Sequence, residues 1–245
     1  ICSNGKWPGF GPYGGYSEYV PVPYSYLIPI EKKYNLTAEE IAPLTDAGLT
    51  PYRGIKKLRD AGALGPDRVL AVFGVGGLGT YAVQYAKILG SDATVVAFAR
   101  NDEKLAIAKE YGADETINFK GKSLDDIRKE LVQKTRRREI DAVIDCAGAE
   151  EMIQTGFGLL STEGHYSSVG LVGDRINIPL FPFVAREFTY HGSFWGNYND
   201  LKEVVALAEQ GKIRHTVKKI KLEEVNENLE LLRDGDIIGR AVIVF

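Results

Sequence analysis

The stretch FGVGGLG, residues 73–79, sets Gly74, Gly76 and Gly79 in G-x-G-x-x-G spacing. Glycines so spaced allow a tight turn, a close approach of backbone to a ligand, and close packing of a helix on the strand before it. A helix opening at that turn aims free N–H groups and its positive dipole end at the same point, which suits a diphosphate. The pattern means little without a strand before it and a helix after it. Both are present: RVLAVF (68–73) is a short apolar run, and LGTYAVQYAKILG (78–90) has helical spacing. Gly77 and Leu78 complete the expected phosphate-facing turn, and the ligand class is a dinucleotide.

Which dinucleotide is read about 20 residues past the last glycine, where an acid would bind the ribose hydroxyls of NAD. That count reaches Ala99, followed by Arg100 and Asn101, so the acid is missing and a guanidinium stands beside the position. A guanidinium favours a 2′-phosphate, so NADP is expected in preference to NAD, with Lys104 adding charge nearby. The plainer reading of Arg100 is a solvated surface arginine. Small residues recur in CAG (146–148), SVGLVG (168–173) and GSFWG (192–196). Ligands of such folds lie beyond the carboxyl ends of the strands, so Cys146, Ala147, Gly170 and Leu171 are candidates to face a flat nicotinamide.

A second candidate is the carboxylate in APLTDAGLTPY (42–52). Asp46 either caps a helix start or is aimed at something that needs a negative oxygen. Other chemistries find no support: there is no C-x-x-C, no H-E-x-x-H and no G-x-S-x-G. His165, His191 and His215 are widely separated, and the first two fall in expected strands, where a core or edge histidine is the plainer reading than a ligand.

These residues need a frame. From residue 68 the chain alternates strand and helix: strands at 68–73, 93–99, 115–119, 140–148, 164–171 and 187–194, helices at 78–90, 102–112, 123–134 and near 150–160. That alternation predicts an α/β fold, a doubly wound parallel six-stranded sheet of the Rossmann kind. Before it, TAEEIAPL carries a capping box, Thr37 with Glu40, and a further helix is expected over 46–61. The first 36 residues, rich in Gly, Pro and Tyr, read as irregular β structure. The tail reads as a helix over 199–212, then helix, turn and strand over 225–245. Residues 1–47 and 197–245 are therefore expected to form one β-rich domain, into which a dinucleotide-binding domain, 48–196, is inserted.

Bulk composition narrows the partners. The 245 residues are 44% hydrophobic and 26% charged with a formal net charge of −3, which gives no electrostatic case for nucleic acid or an anionic membrane. The basic run KTRRRE (134–139) suits the C-terminal end of a helix better than a phosphate patch. No apolar run approaches the roughly 18 residues of a spanning helix. Cys2 and Cys146 offer no disulfide framework, so a reducing cytoplasm is expected. The chain opens on Ile1 and its only methionine is Met152, which reads as the C-terminal portion of a longer polypeptide.

With these motifs in place the chain resembles the zinc-dependent alcohol dehydrogenases of the medium-chain dehydrogenase/reductase superfamily. The resemblance runs nearly end to end, through GGYSEYV (14–20), APLTDAGLTPYRGI (42–55), FGVGGLG, DEKLAIAKEYGAD (102–114), VIDCAG (143–148) and GRAVIVF (239–245). It implies a GroES-like catalytic domain beside the Rossmann domain, and hydride transfer between a small alcohol or carbonyl substrate and NAD(P). It would make Asp46 a catalytic zinc ligand, a position held by Cys in most members and by Asp in some similar archaeal enzymes. It would set Thr50 beside the nicotinamide, Arg240 on the pyrophosphate and Cys2 in a structural zinc loop. It also implies a homodimer or homotetramer, and that the first catalytic cysteine and the Gly-His-Glu motif would precede Ile1. Two other readings stand beside it: a zinc-free quinone or enoyl reductase of the same superfamily, and a non-catalytic nucleotide-binding chain.

Overall fold

The structure is a computed structural model that describes residues 7, 9, 13–31 and 36–245. Cys2 lies outside the described residues. The chain divides into two compact units: residues 46–196 form one, and 1–45 with 197–245 form the other. This places Asp46 and Ala47 with the sheet unit.

The sheet unit contains β1 (Val69–Phe73), β2 (Thr94–Ala99), β3 (Glu115–Asn118), β4 (Ile140–Asp145), β5 (Leu160–Ser168) and β6 (Thr189–Gly192). They lie in the order β3-β2-β1-β4-β5-β6, and each neighbouring pair is parallel. The order reverses between β1 and β4, which is the switch point expected of a doubly wound sheet. β1 and β4 are buried along their whole lengths because helices cover both faces, so they read as continuous apolar runs. The strand expectations hold with shifted ends. β5 starts at Leu160, four residues earlier than the apolar pattern suggests, and β6 is confined to four residues.

α5 (Leu124–Thr135) and α6 (Glu150–Leu159) cover one face, where Ile127, Leu131, Ile153 and Phe157 join Phe73, Phe98, Ile117 and Tyr166 in one core. Phe73 and Phe98 stack with centroids 4.5 Å apart. Alternate strand residues face the other side. There α2 (Leu49–Asp60) sits so near the sheet that a Cβ on Gly54 would lie 2.6 Å from Ile144 Cδ1. Tyr52 of α2 meets Tyr85 of α3 (Gly79–Leu89) edge-on at 5.1 Å. α4 (Asp102–Glu110) links β2 to β3, and α7 (Leu180–Ala185) precedes β6.

The other unit holds α1 (Ala38–Ile41), α8 (Tyr198–Glu209), α9 (Val225–Asp234) and a parallel pair, β7 (Val217–Ile220) with β8 (Arg240–Ile243). The capping box forms as expected: Thr37 Oγ1 accepts from the Glu40 N–H, and the Thr37 N–H donates to Glu40 Oε2 at 2.9 Å. The expected β structure near the N-terminus does not form in residues 13–31, where a single 3-10 turn at Tyr24–Tyr26 is flanked by extended backbone and bends. Prolines and glycines there remove donors and favour turns over a ladder. Among the described residues no helix is long and apolar enough to cross a membrane.

Candidate functional site

The glycine turn joins β1 to α3. Gly74 takes φ 83°, and a Cβ on Gly79 would lie 1.9 Å from the Gly74 carbonyl oxygen, so the turn closes only without a side chain there. A Cβ on Gly76 would meet nothing within 4 Å: this is open space over the backbone. Leu78 occupies the N-cap of α3, and its apolar side chain makes no capping hydrogen bond. An uncapped N-terminus beside open backbone is the cradle a diphosphate needs. The residues present therefore fit a dinucleotide.

The far end of the site is built by two loops pressed together. Asp145 ends β4 fully buried, and its Oδ1 accepts the N–H groups of Ala147 (2.9 Å) and Gly148 (2.8 Å). Its Oδ2 accepts the Tyr166 hydroxyl at 2.9 Å. Burial pushes the Asp145 carboxyl up, opposed by these hydrogen bonds, and burial with the adjacent carboxylate pushes the Tyr166 phenol well above its ordinary range. A Cβ on Gly170 would lie 2.1 Å from the Ala147 carbonyl carbon, so the loop after β5 rides directly on the loop after β4. Across the switch point the Cys146 N–H donates to the Phe73 carbonyl at 2.8 Å.

Between the glycine turn and these loops lies a cleft of about 320 Å³ lined by Asp46, Thr50, Leu78, Cys146, Ala147, Val169, Gly170, Leu171, Val172, Ser193, Phe194 and Trp195. The structure thus brings together Asp46, Thr50, Leu78, Cys146, Ala147, Gly170 and Leu171 from the sequence-derived set. Asp46 lies in the turn before α2. That helix starts at Leu49, three residues later than expected, with Gly48 at its N-cap and no side-chain cap, so Asp46 is not its capping residue. Instead Asp46 Oδ1 accepts the Thr50 hydroxyl at 3.3 Å and the Trp195 indole N–H at 3.1 Å. Thr50 is buried, and its N–H also donates to the Asp46 carbonyl.

The positions expected to meet the ribose lie at the end of β2. Ala99 is buried and Arg100 exposed. The Arg100 guanidinium lies 3.5 Å from the Glu151 carboxylate, an exposed pair. Asn101 caps α4, its Oδ1 accepting the Lys104 N–H at 3.1 Å. Arg240 heads β8 in the other unit. Among the described residues no group of three His, Cys, Asp or Glu side chains is placed to hold a metal ion. Asp46 is one carboxylate, fewer than the three protein ligands of a catalytic zinc. The described residues do not by themselves fit that ion.

Two participants carry no sequence motif: Trp195 reaches Asp46 across 149 positions, and Asp145 is concealed in an apolar strand. His165 and His191, placed in strands as expected, meet on β5 and β6, with His165 Nδ1 2.9 Å from His191 Nε2. The small residues of GSFWG and the acid in VIDCAG were the available signals. The histidine pair lies outside the cleft. Burial lowers both imidazole pKa values, with Arg68 adding to the effect at His165, and His165 and Lys57 at His191.

Comparison with known proteins gives the same outline. A family described as zinc-binding dehydrogenase matches residues 77–210. The NAD-dependent alcohol dehydrogenase of Sulfurisphaera tokodaii is 37% identical over all of this chain, which spans 68% of that protein. The crystal structure of the alcohol dehydrogenase from Aeropyrum pernix superimposes with a TM-score of 0.90 at 36% identity, over the whole of this chain and 69% of that one. Acetophenone reductase from Geotrichum candidum, solved in complex with NAD, matches with a TM-score of 0.87 at 29% identity, over 100% of this chain and 66% of that one.

Proposed function

Since this chain belongs to the zinc-binding dehydrogenase family, we propose that it serves an oxidoreductase interconverting an alcohol with its aldehyde or ketone, with a nicotinamide dinucleotide as hydride partner. The observation that carries this is one continuous cleft that starts at the uncapped α3 turn and ends at Asp46 and Thr50. A bound nicotinamide would supply hydride exchange at its C4. The chain's own residues do the rest. Gly76 and the α3 N-terminus receive the diphosphate. Ala147 and Gly170 leave room for a flat ring, and Phe194 and Trp195 shield it from water. Asp46, held by Thr50 and Trp195, offers a negative oxygen to a cation or to an alcohol hydroxyl.

Zinc belongs to this proposal as a partner of Asp46. It needs ligands beyond the described residues, so no step is derived through it; metal analysis of the purified protein, with and without Asp46→Ala, tests the assignment. The dinucleotide is NADP or NAD. The missing acid and the Arg100 guanidinium support NADP, whereas the names of the relatives and the Glu151 carboxylate beside Arg100 support NAD. We also propose a homodimer or homotetramer, supported by the exposed apolar Leu180, Phe181 and Val184 on α7, and a cytoplasmic location, where the Cys146 thiol stays reduced. The central test is direct: titrate NADH and NADPH by the change in their own emission, then assay alcohol oxidation. Binding of neither dinucleotide overturns the proposal.

A further inference from the structure

Trp195 follows β6 with φ 43°, a left-handed backbone that is unfavourable for a bulky residue and persists where the surroundings fix it. Its indole N–H donates to Asp46 Oδ1 at 3.1 Å, the same oxygen that accepts the Thr50 hydroxyl. Its ring lies against Phe194 with centroids 4.7 Å apart, and both rings line the cleft with Thr50, Cys146 and Gly170. An indole has one polar edge and two apolar faces. Here the edge is turned to a carboxylate and the ring to the cleft, so one side chain both orients a charge and forms a wall.

We propose that Trp195 is a positioning residue: its indole N–H fixes the Asp46 carboxylate at the cleft, and its ring is the wall against which the nicotinamide end of the dinucleotide lies. The second half rests on the dinucleotide reading above; the first half does not. The strain at Trp195 fits this double duty. A relaxed backbone would release the indole from Asp46, and the carboxylate would lose a donor that reaches it from the opposite end of the unit's sequence.

The chain has two tryptophans, Trp7 and Trp195, so a Trp7→Phe background, excited at the red edge where its 13 tyrosines do not absorb, leaves Trp195 as the emitter of this chain. Reduced nicotinamide absorbs where tryptophan emits, so bound NADH in contact with the ring should quench Trp195 almost completely. In the ligand-free protein Asp46→Ala should lower the anisotropy of Trp195 and shift its emission to the red, and it should weaken NADH several-fold. Asp46→Asn, whose amide oxygen still accepts the indole N–H, should keep the parent anisotropy. Trp195→Phe should weaken NADH while leaving the unfolding midpoint near that of the parent. Equal anisotropy in the parent and Asp46→Ala overturns the hold on Asp46. NADH that binds, as seen by its own emission, but quenches Trp195 only in part overturns the wall. If NADH does not bind at all, the dinucleotide reading and the wall fall together, while the anisotropy comparison still decides the hold.

Discussion

Asp145→Ala strikes the loop that forms the back of the cleft. The carboxylate is fully buried and accepts three hydrogen bonds, from the Ala147 and Gly148 N–H groups and the Tyr166 hydroxyl. Alanine strands three donors, each at a cost of about 1–3 kcal/mol, and relieves the burial of a charge, for a net loss of about 3 kcal/mol. At roughly 2–4 °C per kcal/mol, the unfolding midpoint should drop by about 6–12 °C. Asp145→Asn separates the two contributions. Its amide oxygen still accepts both N–H groups while the charge is gone, so stability should stay within about 1 kcal/mol of the parent at neutral pH. The pH dependence follows from the direction of the shift. Burial raises the native carboxyl above its ordinary 3.8, so the native state holds this proton to higher pH than the unfolded chain does. Relative to Asp145→Asn, the parent should therefore lose stability as pH climbs from 3.8 through the raised value. Urea unfolding followed by circular dichroism over a pH series measures both. A loss under about 1 kcal/mol for the alanine variant, or a parent-to-asparagine difference independent of pH, would refute the reasoning.

Three further outcomes are expected. Glu151→Gln removes the carboxylate beside Arg100 and should shift dinucleotide preference toward NADPH, while Arg100→Ala should shift it toward NADH; comparing the two dissociation constants in each variant checks this, and an unchanged ratio contradicts it. Gly79→Ala would drive a methyl onto the Gly74 carbonyl, so dinucleotide binding should be abolished and stability should drop by about 1–3 kcal/mol, as read by NADH titration and urea unfolding. Burial depresses both imidazoles of the His165–His191 pair, so the pair's contribution is complete above the ordinary 6.5 and is lost as pH falls through the depressed values; His165→Asn should flatten stability in that range.

The sheet was legible because a parallel sheet covered on both faces writes each strand as an apolar run between helices of 3.6 period. The glycine turn was legible because its steric demands fall on neighbouring residues. β7 was not: its sequence VKKI, with both lysines exposed, offers no apolar run, and the strand exists because β8 pairs with it. Nor was α7, whose LFPFVA carries a proline that reads as a break yet sits in the first turn, where its missing N–H costs nothing. Of the cleft-lining residues, Ala147 and Gly170 follow from small residues at strand ends, Asp46 from a carboxylate at a helix entrance, and Thr50 only from the family resemblance. Trp195 and the Asp145–Tyr166 bond were not legible, because a contact across strands leaves no local spacing. At the end of β2, Asn101's use as a cap and the Glu151 partner of Arg100 depend on side-chain placement that no local pattern shows.

The hydrogen bond from Trp195 to Asp46 also ties residue 195 to residue 46, the two ends of the sheet unit. A segment of that length would lose several kcal/mol of chain entropy on bringing its ends together, growing only slowly with length. Here the clasp is part of the folded unit itself. One side-chain pair thus spans the two ends of residues 46–196, the arrangement a folded segment needs if it is to be carried within a loop of another chain.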